Sequence, residues 1–298
     1  MAIALAYANE AADLILCSRS KEGLEAVARE CMQKNAKKRS SHKAFLKKYF
    51  YGRVTAIGLE NCKHETPLYT LSIHAEMKNS NLSGSIKCVT PPSYLKKTVA
   101  SPLSGFGFLN GSIKVIVKDL SLAEDAKSLV EEVLSDSAKV GYGVDVLVNN
   151  AGMFVEGSAA AGDVDLWSTA LHVNLLSPMI ITRMLSEKMK ARKGGVIINI
   201  GSIAGLEAMT FGGVYSTTKF GLRGWSLHCG RNLKEDNIKV TLISPGYVHT
   251  DMVKMAKIDF SKVIQPNDIA EAALLPIRTS YSCCPEEITI RVTGNCSL

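Results

Sequence analysis

The sequence predicts a doubly wound α/β domain with a parallel sheet, and three observations carry that prediction. Short, almost uninterrupted apolar runs, DLILC at 13–17, VDVLV at 144–148, GVIINI at 195–200 and KVTLIS at 239–244, read as strands buried on both faces. Segments with helical apolar spacing separate them. Strand and helix alternate along most of the 298 residues, as in a sheet covered by helices on both sides.

The elements follow in order. MAIALAYANE reads as a helix that feeds the strand DLILCS, which ends at Arg19. A helix leading into a parallel strand is the second half of a βα unit, so a first strand and its turn are expected ahead of Met1. KEGLEAVARECMQ is a helix with Leu24, Val27 and Ala28 at i, i+3, i+4 spacing. IKVIVKDLS is a strand ending at Asp119, and LAEDAKSLVEEVLSD is amphipathic, with Leu122, Ala126, Leu129, Val130, Val133 and Leu134 on one side. VDVLVNNAG is a buried strand running into a turn of small residues. A long helix over 164–193, the strand GGVIINIGS, a helix from Val214 to Glu235 and the strand IKVTLISPG come next. A helix over 266–280 and a last strand, EEITIRV, close the chain.

Residues 37–110 break this rhythm. They hold 12 Lys/Arg against three acids (Glu60, Glu65, Glu76), a balance of +9, so the rest of the chain sums to 7 − 9 = −2. No helical or alternating period persists there, and connections inside α/β units usually take about 2–6 residues. The expectation is a single domain over 1–298 with a disordered basic insertion at 37–110. KKRSSHKAFLKK could serve nuclear import or nucleic-acid binding, but it lacks the aromatic platform that single-strand binding uses, so a nucleic-acid partner is not expected. No run of 18 apolar residues suggests a membrane span. The eight cysteines have no C-x-x-C spacing, no zinc or other metal site is expected, and with no basic leader the expected location is the cytoplasm.

The chemistry starts with VYSTTKFG. Tyr215 and Lys219 stand at i and i+4, one turn apart on one helix face. A neighbouring ammonium favours the phenolate, which suits the tyrosine to proton transfer in a carbonyl/alcohol interconversion. The pair alone is weak, because with nine tyrosines about one Y-x-x-x-K arises by chance. Thirteen residues upstream, Ser202 follows the C-terminal end of GVIINI, where ligands of open α/β sheets bind. Asn149 to Gly152 (NNAG) leave the preceding strand, and Asn174 sits inside the next helix, where asparagine is a poor helix former. SPGYVHT, with Pro245 and Gly246, leaves the last core strand at the same rim.

This constellation resembles the short-chain dehydrogenase/reductase family in motif order and spacing, over roughly 1–36 and 111–298. The resemblance implies Tyr215 as acid/base, Ser202 polarising the carbonyl, and Lys219 supporting the tyrosine and holding the nicotinamide ribose. It implies that Asn174 fixes a relay water, that Asn149, Ala151 and Gly152 line the cofactor, and that Asp119 contacts adenine. Pro245, Gly246, Val248 and Thr250 would face the nicotinamide. The strand end that selects the cofactor reads CSRS, so Ser18 and Arg19 point to NADP, the guanidinium pairing with a 2′-phosphate. The expected reaction is NADP-dependent interconversion of a carbonyl and a secondary alcohol on a small or medium substrate. The alternatives are 3-oxoacyl-(acyl-carrier-protein) reductase chemistry or a non-catalytic isoform unable to bind cofactor. Family members pair through two long helices, which implies a homodimer or homotetramer. They also carry T-G-x-x-x-G-I-G on a first strand just before the position of Met1. The sequence is therefore expected to lack that strand, through an incomplete gene model or altered transcript processing, with 37–110 as a product of the same event.

Overall fold

The computed structural model describes residues 1–9, 14–38, 54–57, 113–140, 143–253 and 259–293. Its described strands are β1 (Leu14–Ser18), β2 (Val54–Ile57), β3 (Ile113–Val117), β4 (Val146–Asn149), β5 (Gly195–Ile200), β6 (Ile238–Pro245) and β7 (Glu287–Ile290). The helices are α1 (Ala2–Asn9), α2 (Lys21–Lys38), α3 (Ala123–Val140), α4 (Val164–Leu171), α5 (Ser177–Ala191), α6 (Gly213–Leu233) and α7 (Pro266–Arg278). A π-helical turn, His172–Leu176, joins α4 to α5. Every ladder is parallel: β1 pairs with β3, and β2, β4, β5, β6 and β7 follow one another in a five-stranded sheet, with β1 alongside β2. The doubly wound architecture expected from the strand and helix rhythm is what forms.

The centre of that sheet holds a strand from within 37–110. Val54–Ile57 runs parallel to β4 in register, Val54 opposite Val146 and Ile57 opposite Asn149, on the edge where a strand from ahead of Met1 was expected. These four residues lie inside the segment expected to be disordered. The physical reason is the edge of β4: a fully buried strand cannot leave its N–H and C=O groups unpaired on one side. Val-Thr-Ala-Ile, three of its four residues β-branched, is suited to fill that edge. The disorder expectation for 39–53 and 58–110 falls outside the described residues.

Strand alternation splits the core in two. Leu14, Leu16, Val146, Val148, Val196, Ile198 and Ile200 face α1, α2 and α7. Ile15, Cys17, Leu147 and Ile197 face α3, α5 and α6 on the other side. Near-continuous apolar strands are the consequence. Local signals set the ends of the helices. Asp163 caps α4 by accepting from the N–H groups of Asp165 and Leu166. Gln265 and Asp268 form a capping box before Pro266 at the start of α7. Helix α1 docks on α7 through Tyr7, whose buried hydroxyl donates to the Ala273 carbonyl at 2.8 Å; burial pushes that phenol well above its ordinary range.

The C-terminus of α7 ends on a buried cation. Lys239, the second residue of β6, donates to the carbonyls of Pro276 (2.9 Å), Thr279 (3.1 Å) and Ser280 (2.7 Å). A positive charge there opposes the negative end of the helix dipole as well as satisfying its last carbonyls. Lys239→Ala removes a charged donor from all three carbonyls, although Pro276 still accepts from the Thr279 hydroxyl and Ser280 from the Cys283 N–H, and should lower unfolding free energy by about 1–3 kcal/mol in a urea titration.

Candidate active site

In a parallel sheet all strands end on one rim, and the loops after β4, β5 and β6 converge there. Gly212, left-handed at φ 81°, turns the chain into α6. Tyr215 in the first turn and Lys219 one turn later then share the buried side of the helix. Lys219 is only 4 % exposed; its ammonium donates to the Ile200 carbonyl, the last of β5, at 3.0 Å. It lies 5.6 Å from the centroid of the Tyr215 ring. The cation is thus held at the strand end, beside the phenol.

Ser202 opens a 3-10 turn, Ile203–Gly205, in which its hydroxyl oxygen accepts from the Ala204 N–H at 3.1 Å. That turn rests directly on α6. A Cβ at Gly205 would fall 2.6 Å from the Lys219 carbonyl oxygen and 2.7 Å from its carbon, so only glycine permits the approach. Gly205 escaped the sequence reading, although a glycine three residues past Ser202 in a run of small residues is the available signal.

Asn174 lies within the π turn and is fully buried. Its amide oxygen accepts from the Met153 N–H (2.8 Å), and its amide nitrogen donates to the Met153 carbonyl (2.8 Å) and the Thr218 hydroxyl (3.1 Å). Both amide hydrogens are used, so the side chain is a clamp that fixes the loop after β4. Gly152 is drawn into the same cluster: a Cβ there would stand 3.7 Å from both the Asn174 amide oxygen and the Lys219 ammonium. Ala151 beside it is buried.

The Asn149 side chain donates inward to Thr182 (3.1 Å) and Asn199 (2.8 Å). The alternation of β4 turns it towards the α5 and α6 face, a direction that the NNAG motif alone does not disclose. After β6, Pro245 ends the strand and the Gly246 N–H donates to the Ile290 carbonyl at 2.8 Å. Val248 bridges Ile264, and the Thr250 hydroxyl turns back on the Val248 carbonyl at 3.3 Å.

The residues expected at the adenosine end lie at the ends of β1 and β3. Ser18 is buried, and its hydroxyl accepts from the Ser20 N–H at 3.1 Å. Arg19 and Asp119 hold each other, with Nη1 to Oδ2 at 3.0 Å. Asp119 also accepts from the Ser121 N–H (3.0 Å) and hydroxyl (2.8 Å). Burial pushes its carboxyl up, but the Ser121 donors and the Arg19 guanidinium outweigh it and hold the group below the usual carboxylate range. The guanidinium expected on a phosphate and the carboxylate expected on adenine are here each other's partner.

The model of the short chain dehydrogenase family matches residues 88–259, more than half of the chain, and the chain belongs to that family of oxidoreductases. The match begins at Cys88, inside the segment that the motifs alone set aside. An uncharacterized oxidoreductase of Staphylococcus aureus is 29% identical over 180 residues, 60% of this chain and 76% of that protein. One from Staphylococcus saprophyticus is 29% identical over 179 residues, 60% of this chain and 75% of its own length. The fold is similar to a metagenomic short-chain oxidoreductase solved with NADP (TM-score 0.63, 22% identity, 99% of this chain and 91% of that one). It is also similar to the Thermococcus sibiricus alcohol dehydrogenase complexed with 5-hydroxy-NADP (TM-score 0.66, 19% identity, 98% and 91%). Among the described residues no helix is long and apolar enough to cross a membrane.

Two outcomes follow from this geometry. Gly205→Ala forces the Ser202 turn off α6 and should cost about 1–3 kcal/mol in thermal unfolding. Asp119→Asn should cost about 1 kcal/mol at pH 7 in urea. A carboxyl whose native pKa is depressed stabilises above its unfolded value of about 3.9 and stops doing so as pH falls through the native value. The gap between variant and wild type should therefore close at strongly acid pH.

Proposed function

We propose that the protein interconverts a carbonyl compound and a secondary alcohol with NADP, Tyr215 exchanging the proton with the substrate oxygen. The observation that carries this reading is the buried Lys219 ammonium, tethered to Ile200 and set beside the Tyr215 ring. A fixed cation favours the phenolate that proton release leaves behind. Ser202, on the turn that packs against Lys219, is assigned to donate to the same oxygen; its own oxygen accepts from the Ala204 N–H, which leaves its hydroxyl proton to be given.

The residues fit the nicotinamide–ribose end of the cofactor. Gly152 carries no side chain where a Cβ would stand 3.7 Å from the Lys219 ammonium, and the space it leaves is offered to the ribose. When bound, NADPH supplies the hydride to the carbonyl carbon, and the protein's part is orientation and the proton. Arg19, about a third exposed, is the group for a 2′-phosphate, provided that it exchanges part of its bond to Asp119. Two of the fold relatives were solved with NADP or a derivative, which supports the same choice. Leu171, Leu176 and Phe220 expose apolar surface on α4, the π turn and α6, and a homodimer through these helices would cover it.

The test is NADPH consumption by the full chain with a panel of ketones, aldehydes and 3-oxoacyl thioesters. Tyr215→Phe should lower kcat/KM by about 10²–10⁴-fold while leaving NADPH binding, read by fluorescence, within about twofold. Absence of NADPH binding by the wild-type chain would instead support a non-catalytic isoform.

A further inference from the structure

The rim beside Tyr215 carries an aromatic corner that neither the fold nor the proton chemistry requires. The Phe154 ring stands edge-on to Tyr215, centroids 5.2 Å apart and planes at 63°. Phe211 meets Phe154 edge-on from the other side at 6.3 Å and 70°. The two phenylalanines come from different loops, one following β4 and the other preceding α6, so the pairing is tertiary.

The backbone is shaped to make this corner. Gly212 adopts φ 81°, and a Cβ there would lie 2.8 Å from the Phe154 ring. No other residue allows both the turn into α6 and the seating of that ring. The Gly212 N–H also donates to the Gly157 carbonyl at 2.9 Å, which ties the two loops together behind the rings. Asn174 fixes the other end of the first loop through Met153, the residue next to Phe154. Both loops are therefore held where the rings meet.

Phe154 is nevertheless only partly buried, and Phe211 is 38 % exposed. Aromatic surface that is rigidly placed but left in water is what an apolar ligand group can cover with a gain in free energy. A site built to hydrogen-bond a polyhydroxylated or small polar substrate would place donors and acceptors there instead.

Taking the oxidoreductase reading of Tyr215 as given, we propose that Phe154 and Phe211 form the specificity wall of the site, selecting ketones or secondary alcohols that carry an aryl or branched alkyl group on one side of the reacting carbon. The aryl group lies against the two rings, edge-to-face as the rings lie against each other, and this places the carbonyl oxygen at the Tyr215 hydroxyl.

The experiment compares acetophenone with hydroxyacetone as NADPH-dependent substrates of the full chain, in wild type, Phe154→Ala, Phe154→Leu and Phe211→Ala. Wild type should favour acetophenone in kcat/KM by about tenfold or more. Phe154→Ala should shrink that preference by about fivefold, mainly through KM, with Phe154→Leu recovering part of it and Phe211→Ala giving a smaller loss. A purely structural ring would lower both substrates alike and leave the ratio unchanged, which overturns the proposal, as does a wild-type preference for hydroxyacetone. If neither ketone is turned over, the oxidoreductase reading of this chain fails separately. Saturation-transfer NMR with acetophenone alone then decides the wall: contact in wild type that Phe154→Ala loses upholds it, and no contact in wild type overturns it.

Discussion

The arrangement at the rim depends on a chain of buried side-chain hydrogen bonds beneath it. Asn149 and Asn199 are register partners on neighbouring strands, and the first donates its amide to the second at 2.8 Å. Asn149 also reaches Thr182 on α5, and Asn199 donates to the Ser226 hydroxyl on α6 at 2.8 Å. Ser226 passes the bond on to the Leu222 carbonyl at 2.6 Å. A slip of one residue in β4 or β5 would break these bonds and turn the amides into the apolar layer under α1 and α7, and is strongly disfavoured. The rotation of α6 about its axis is fixed by the same bonds. Lys219 and Tyr215 lie seven and eleven residues before Ser226, close to two and three whole turns, so the helix that offers Ser226 to Asn199 offers both residues to the rim.

This helps to explain how far the sequence could be read. Strands buried on both faces announce themselves as apolar runs, and the pair of core clusters on either side of the sheet accounts for each of them. Tyr215, Lys219 and Ser202 were legible because helical spacing and a strand end together restrict where their side chains can go. Asn149 was not, since a motif gives its position along the strand, whereas pleat parity decides which layer it enters. Gly205 and Gly212 act through the space that they leave, and that space belongs to Lys219 and Phe154, residues distant in sequence. Val54–Ile57 was illegible for a different reason. Four residues carry too little pattern to stand out from an aperiodic segment, and their β-branched side chains make a strand only because the edge of β4 is there to pair with.

Charge is distributed by the same economy of burial. Lys219 and Lys239 are both nearly enclosed, and both answer to main-chain carbonyls: Lys219 to the end of a strand, Lys239 to the end of a helix. Oriented backbone dipoles thus help to offset the cost of enclosing both ammonium groups. Such dipoles are fixed by the fold and, unlike a carboxylate, do not titrate. The Arg19–Asp119 pair is the opposite case. It is partly exposed and made of two side chains that can separate. Rigid satisfaction lies under the candidate site, and exchangeable satisfaction lies at the ends of β1 and β3.

The π turn shows what it takes to combine these demands on one helix. From Ala170 to Met189 the buried positions recur every four residues: 170, 174, 178, 182 and 186 along one line, 173, 177, 181, 185 and 189 along the next. A regular α-helix repeats every 3.6 residues, so four such repeats would rotate the buried line by about 160° and carry its end away from the sheet. The extra residue of a π turn reverses roughly 100° of that drift. The α4–α5 pair can thus face Asn174 towards Met153 at one end and Thr182 towards Asn149 two turns later. A straight helix would serve one of these bonds at the expense of the other. The irregularity is local, but it allows one helix to fix both the loop at the rim and the strand beneath it.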